Sequence, residues 1–166
     1  MNYFLDTEFG EYGTASPPTI ELISIGLVAE DGREYYAESF EFDPNRCNGW
    51  VKQNVLPLLG PEDKRLPRST IRNQIVEFVG KDMHPMFWAY FADYDWVVFC
   101  WLFGSMLDLP PHFPMLCMDL KQWMVQLGAP DTVKPDKSEA EHNALEDARW
   151  NLRLHRRLGQ YAEGQG

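Results

Sequence analysis

Residues 3–9 read YFLDTEF, and the fold turns on how Asp6 and Glu8 are carried inside this apolar run. Phe4, Leu5 and Phe9 ask for burial, whereas an unpaired buried carboxylate costs several kcal/mol or takes up a proton. Side chains alternate along a strand, so both acids face the same way, about 6.6 Å apart at a rise of ~3.3 Å per residue. Such a pair either shares a cation or lies on the solvated face of an edge strand.

Working outward, IELISIGLVAEDGREYYAESFEF (residues 20–42) splits into two strand-like runs at Asp31-Gly32, a pair suited to a hairpin turn. Ile71, Ile75, Phe78 and Val79 recur at helical spacing, which predicts a helix over 69–79 with Ser69 as cap and Gly80 as stop. PMFWAYF (85–91) reads as a buried strand. The apolar WVVFCWLFGSM (96–106) fits a core helix, although its period alone also allows a strand. FPMLCM (113–118) reads as a further short strand, leading through Asp119 as cap into a helix with Leu120, Trp123, Met124 and Leu127 that ends at Gly128. A last helix starts near Asn143. Loops are expected where Pro and Gly cluster, from Gly10, Pro57, Asp108 and Gly128. Three strands on short turns, then helix, strand, helix, strand, helix, make an α/β fold with a mixed sheet flanked by helices.

The 166 residues are 45% hydrophobic, enough for one domain spanning 1–166, with GQYAEGQG (159–166) as a frayed tail. No long apolar run or signal-like start is present, so neither secretion nor membrane spanning is expected and the cytoplasm is the expected location. Cys47, Cys100 and Cys117 lack any CxxC spacing and read as reduced thiols. The net charge of −10 argues against a general nucleic-acid coating protein. Any nucleic acid would need a cation as intermediary.

Two further acidic clusters stand at element starts. In AYFADYDW (89–96), Asp93 and Asp95 follow the buried strand, and Asp93 also fits a helix cap. In EHNALEDARW (141–150), His142 and Asp147 would lie about 140° apart on one continuous helix and could share no target. If Asn143 caps the helix and Glu146 reaches back to it, His142 stays on the loop and Asp147 sits one turn in, so both meet one point. Carboxylates 4 Å apart repel by ~4 kcal/mol at an effective dielectric near 20. Packing acids from such clusters together therefore calls for divalent cations, and an all-oxygen ligand set favours Mg²⁺ or Mn²⁺ over zinc.

D-x-E on a first strand, an Asp after a later strand and H-x-x-x-x-D opening a last helix resemble the DEDDh 3′-5′ exonucleases of the ribonuclease H-like (DnaQ-like) superfamily. FLDTEF resembles their first motif, IELISIGLV the strand that follows it, and EHNALEDA the histidine-bearing third motif. Small acidic exoribonucleases of mycobacteria are the nearest members in kind, and the likeness covers almost the whole chain. The middle motif departs from the pattern. The usual Asn four residues before the Asp and Phe three after are replaced, counting from Asp95, by Phe91 and Val98, and counting from Asp93 by Ala89 and Trp96. Asp95 matches better, with Tyr94 before it and VVF after.

The resemblance implies a ribonuclease H-like five-stranded sheet, with three antiparallel strands followed by two parallel ones. It also implies two Mg²⁺ ions, replaceable by Mn²⁺, held by Asp6, Glu8, Asp95 and Asp147, and His142 as the base that deprotonates the attacking water. The expected substrate is single-stranded RNA or an RNA 3′ overhang, the product a nucleoside 5′-monophosphate, and the assembly a homodimer. A DNA-directed exonuclease of the same chemistry and a catalytically silent nucleic-acid-binding module are the alternatives. Phe9 and Tyr12, the latter in the adjoining loop, are candidates to stack on terminal bases, with core packing the alternative for Phe9. Trp96, Trp101 and Trp123 are expected in the core, and RLHRR (153–157) on a solvated helix face.

Overall fold

The computed structural model describes residues 1–15, 17–137 and 141–164. Strand β1 (Asn2–Tyr12) is the middle of a five-stranded sheet. It pairs antiparallel with β2 (Thr19–Ala29), which pairs antiparallel with β3 (Glu34–Glu38). The β2–β3 turn places Gly32 at φ 91, a conformation in which a Cβ is strained, and closes with Gly32 N–H donating to Ala29 O. On the other side of β1 lie β4 (Met86–Ala89) and then β5 (Cys117–Asp119), both parallel, so the order is β3-β2-β1-β4-β5. The expected mixed α/β sheet is present.

Alternation along β1 divides the helices between two faces. Tyr3 and Leu5, with Phe87 of β4, point into a core made with α2 (Arg68–Val79) and α3 (Ala92–Phe103), through Ile71, Ile75, Val98 and Phe99. Phe4 points the other way, against α4 (Leu120–Gln126) and α5 (Ala144–Glu163), through Leu120, Met124, Ala148, Leu154 and Leu158. Burying each such aliphatic side chain contributes about 1.5–3 kcal/mol, so both layers are held to the sheet by several independent contacts. Helix α1 (Gly49–Asn54), which follows β3, packs Val51 into a third small cluster with Ile23, Phe42 and Cys47.

Two features of β1 and β2 place the site. β4 pairs with β1 only from Asn2 to Phe4, so β1 runs on past its neighbour with one edge uncovered. Gly26 of β2, the partner of Asp6, lies under the start of α5, where an added Cβ would stand 2.3 Å from Ala144 O. Only glycine admits that approach.

Several sequence expectations need correction. Ser69 lies inside α2, whose cap is Pro67 with no side-chain bond. β1 continues to Tyr12, into the loop expected from Gly10. Phe113 belongs to the core and not to a strand, since β5 begins only at Cys117. The tail expected from Gly159 is helical through Glu163, because α5 carries its apolar stripe to the fully buried Leu158 and keeps winding. Residues 165 and 166 of that tail lie outside the described residues. The 96–106 stretch resolves as helix through Phe103.

Candidate active site

The rule that separates the two cores also separates the residues of the D-x-E stretch. Asp6 and Glu8 share the face of Phe4 and look toward α5, whereas Thr7 shares the face of Tyr3 and looks toward α3. Each helix brings one acid to β1.

On the α3 side the chain leaves β4 through Phe91, a non-glycine residue at φ 59, and turns into the helix. No local side chain caps it. Instead Ala92 N–H donates to Asp119 Oδ2 at 2.8 Å, while Asp119 Oδ1 accepts from Gln122 N–H and caps α4. Only the second of these roles is legible in the sequence. One turn into α3, Asp95 is buried and its Oδ1 accepts from both Thr7 N–H (2.8 Å) and Thr7 Oγ1–H (2.6 Å). Asp95 thus takes, on the uncovered edge of β1, the hydrogen bond that a longer β4 would have taken. Asp93 is exposed on the opposite side of the turn.

On the α5 side Asn143 caps the helix, its Oδ1 accepting from Leu145 and Glu146 N–H. His142 precedes it at φ 72. The expected capping box is replaced: Glu146 pairs with Arg149, which also holds Glu34, and it is Asp147 that reaches back, Oδ2 accepting from His142 N–H at 2.9 Å. That bond folds the loop over the helix start. A turn further on, the buried Asn151 donates to Leu5 O at 2.8 Å and ties α5 to β1 beside Asp6.

Glu8, His142 and Asp147 offer donor atoms that all lie within 4.8 Å of one another. Asp6 and Asp95 stand outside that group. Asp6 nevertheless lines the same cavity, of about 190 Å³, as His142, Asp147, Asn151, Tyr90, Trp150, Glu141 and Lys137. The ammonium of Lys137 is paired with Glu141. Trp50 meets the imidazole edge-on, ring centroids 4.7 Å apart. Thr7, Asn151, Glu141 and Trp50 were not found from the sequence. Only Asn151 had a usable signal, its place four residues after Asp147 on one helix face.

The acids perturb one another as crowded carboxylates must. Burial, then the charges of Asp95, Glu8 and Asp147, hold Asp6 well above the usual carboxylate range. Glu8 is pushed up to about 8 by burial, with Asp147 and Asp95 adding to it. Burial raises Asp95 to about 6, opposed by the two bonds from Thr7, and raises Asp147, opposed by the bond from His142 N–H. A divalent cation suits this arrangement: the carboxylates come from three separate segments, are desolvated, and meet, among the described residues lining the cavity, only Lys137 of the lysines and arginines, itself paired with Glu141.

Residues 1–158 match the Rv2179c-like 3′-5′ exoribonuclease domain. The chain belongs to this exoribonuclease family. It is 47% identical over 161 residues to 3′-5′ exoribonuclease Rv2179c of Mycobacterium tuberculosis strain H37Rv, and equally to 3′-5′ exoribonuclease MT2234.1 of strain CDC 1551 / Oshkosh. Each match covers 94% of this chain and 92% of the relative.

Within this member of the exoribonuclease family, other candidate residues fall into structural places. Tyr12 is buried with its hydroxyl against Cys47 and Arg46 over its ring, so it presents no face to a base. Phe9 stacks on Tyr94, 5.5 Å between centroids, and Tyr94 donates to Glu11. Trp96 and Trp123 pack in the cores as expected, but Trp101 is exposed on the outer face of α3. His155 sits among Phe4, Trp88 and Trp123. No helix among the described residues is long and apolar enough to cross a membrane.

Proposed function

We propose that the protein is a divalent-metal-dependent 3′-5′ exoribonuclease of the DEDDh type on a ribonuclease H-like fold. It removes nucleoside 5′-monophosphates from single-stranded RNA or from an RNA 3′ overhang. The observation that carries this reading is the meeting of Glu8, Asp147 and His142 at one point beside Asp6, in a chain whose family is named for that activity. The strand order, with a central β1 bearing the D-x-E stretch, supports the fold assignment.

Asp6, Glu8, Asp95 and Asp147 would hold two Mg²⁺ ions, or Mn²⁺ in their place. When bound, such ions neutralise the phosphodiester and make water a stronger nucleophile. The chain's own groups do the rest. His142 accepts the proton of the water that attacks the terminal phosphorus, the bond to the 3′ oxygen of the preceding nucleotide breaks, and that oxygen leaves and takes a proton from solvent to become the new 3′-hydroxyl end, His142 later returning its own proton to solvent. The bond from His142 N–H to Asp147 holds the base over the carboxylates. Three unpaired cysteines support a cytoplasmic setting. The exposed Val97 and Trp101 of α3, with Leu116 and Val125 nearby, support a homodimer, to be checked by light scattering.

The test is degradation of matched labelled RNA and DNA oligonucleotides with Mg²⁺, with Mn²⁺ and with chelator. Stepwise release of mononucleotides from the RNA, abolished by chelator, is expected. Intact RNA held tightly in Mg²⁺ would point to a silent binding module, and faster loss of DNA would overturn the substrate assignment.

A further inference from the structure

We infer that the Thr7 hydroxyl is a positioning group that commits Asp95 to ligate through one oxygen only, a conclusion that rests on the metal site proposed above. Both donors of Thr7, the backbone N–H at 2.8 Å and the hydroxyl at 2.6 Å, converge on Asp95 Oδ1. A carboxylate oxygen offers two lone pairs, and these two bonds occupy both. No hydrogen bond from another described residue reaches Oδ2. The carboxylate is therefore divided: one oxygen anchors it to β1 and the other stays free of that anchor, in a group close enough for its charge to act on Asp6 and Glu8.

The geometry around the pair makes the commitment firm. Thr7 and Asp95 are 5% and 6% exposed, so water has little access to replace a lost donor. Thr7 is β-branched, which leaves its hydroxyl few rotamers from which to choose. The backbone donor alone would fix a point of attachment about which the carboxylate still pivots; the hydroxyl supplies a second line of attachment and stops the pivot. Asp95 then cannot chelate an ion with both oxygens unless the bonds from Thr7 break. The middle residue of D-T-E is thus part of the arrangement through its side chain, on the sheet face opposite the two acids that flank it.

Thr7→Val keeps shape and removes the hydroxyl; Thr7→Ser restores the hydroxyl on a smaller side chain. Calorimetric titration of MnCl₂ into the intact, chelator-stripped protein reads the metal without turnover. Loss of an outer-shell partner to a metal ligand typically weakens affinity 10–100-fold, so Thr7→Val is expected to fall in that range and Thr7→Ser within about threefold of the parent. The Mg²⁺ concentration for half-maximal RNA degradation should move in parallel, with less change in turnover at saturating Mg²⁺. A Thr7→Val protein that takes up Mn²⁺ as the parent does overturns the inference. So does a Thr7→Ser protein as weak as Thr7→Val, because packing and not the hydroxyl would then matter. If the parent itself takes up no Mn²⁺, the metal site proposed above fails; if only the Thr7 variants behave alike, the failure is confined to this inference.

Discussion

The starts of α3 and α5 are two solutions to one problem. Each helix carries an acid four residues after its cap, Asp95 after Phe91 and Asp147 after Asn143, and each brings it to β1 from its own face of the sheet. Each entry also uses a non-glycine residue at positive φ, Phe91 or His142, a strain of order 1–3 kcal/mol that such sites tolerate when the surroundings hold it. The difference lies in what holds them. The α5 start is self-contained: Asn143 caps it and Asp147 bonds the residue just before the cap. The α3 start borrows both its partners, the acceptor for its first N–H from Asp119 and its acid's anchor from Thr7, 88 residues away in sequence. A local device can be built once and moved; a borrowed one works only in the finished fold.

The largest test of this contrast removes the chemistry while keeping the scaffold. His142→Ala should lower turnover about 10²–10⁴-fold and leave Mn²⁺ uptake intact, because general-base catalysis is worth that much and the acids remain; loss of Mn²⁺ uptake in this variant would make His142 a ligand and not the base. Asp147→Asn should abolish metal uptake yet raise the melting temperature in chelator, since burial holds the Asp147 carboxyl above its ordinary range and the amide has no charge to desolvate. The same logic has a sign in pH. Glu8 is raised from 4.5 to about 8, so the folded metal-free protein binds protons that the unfolded chain releases. The stability that Glu8 contributes is therefore fully present below about pH 4.5 and is lost as pH rises through about 8. Saturating Mg²⁺ should flatten that fall, and thermal melts at pH 5 and pH 8 with and without metal will read it.

A smaller but sharper perturbation is Gly26→Ala. The new methyl would stand 2.3 Å from Ala144 O, and backbone cannot yield as a side-chain tip does. Overpacking costs typically 1–3 kcal/mol, and here it lifts the α5 start, with His142 and Asp147, off Asp6. Urea unfolding should show the loss in that range while RNA degradation falls far more. Unchanged degradation would mean that α5 need not sit so close.

What was legible in the sequence follows the same divide. The two acids of β1, the Asn143 cap and the Asp31-Gly32 hairpin are all set by neighbours within a few residues, where alternation, helical period and turn chemistry act. The Asp119 bond to Ala92, the Thr7 bond to Asp95 and the Trp50 contact with His142 join distant segments and leave no periodic trace. Gly26 is intermediate: a lone glycine inside IELISIGLV is the kind of signal that marks close backbone approach, but nothing nearby says what approaches. The capping box failed for another reason. Glu146 had a better partner in Arg149, already drawn to Glu34 on β3, and the tertiary ion pair outcompeted the local bond.

The smallest expected effects compare the caps themselves. Removing a cap side chain costs about 0.5–2 kcal/mol. Asn143→Ala should lose roughly one such increment, confined to α5. Asp119→Ala should lose about two, because one carboxylate serves the first N–H of α3 and the start of α4 together. Hydrogen exchange separates the two cases: the Asn143 variant should gain exchange only in the first turn of α5, whereas the Asp119 variant should gain it at the starts of both α3 and α4. It should also loosen Asp95, one turn in, so its Mn²⁺ affinity should drop although Asp119 is not among the four acids assigned to the ions. Equal losses in the two variants, or an Asp119 effect restricted to α4, would mean that α3 holds its own start and that the borrowed design is not what fixes Asp95.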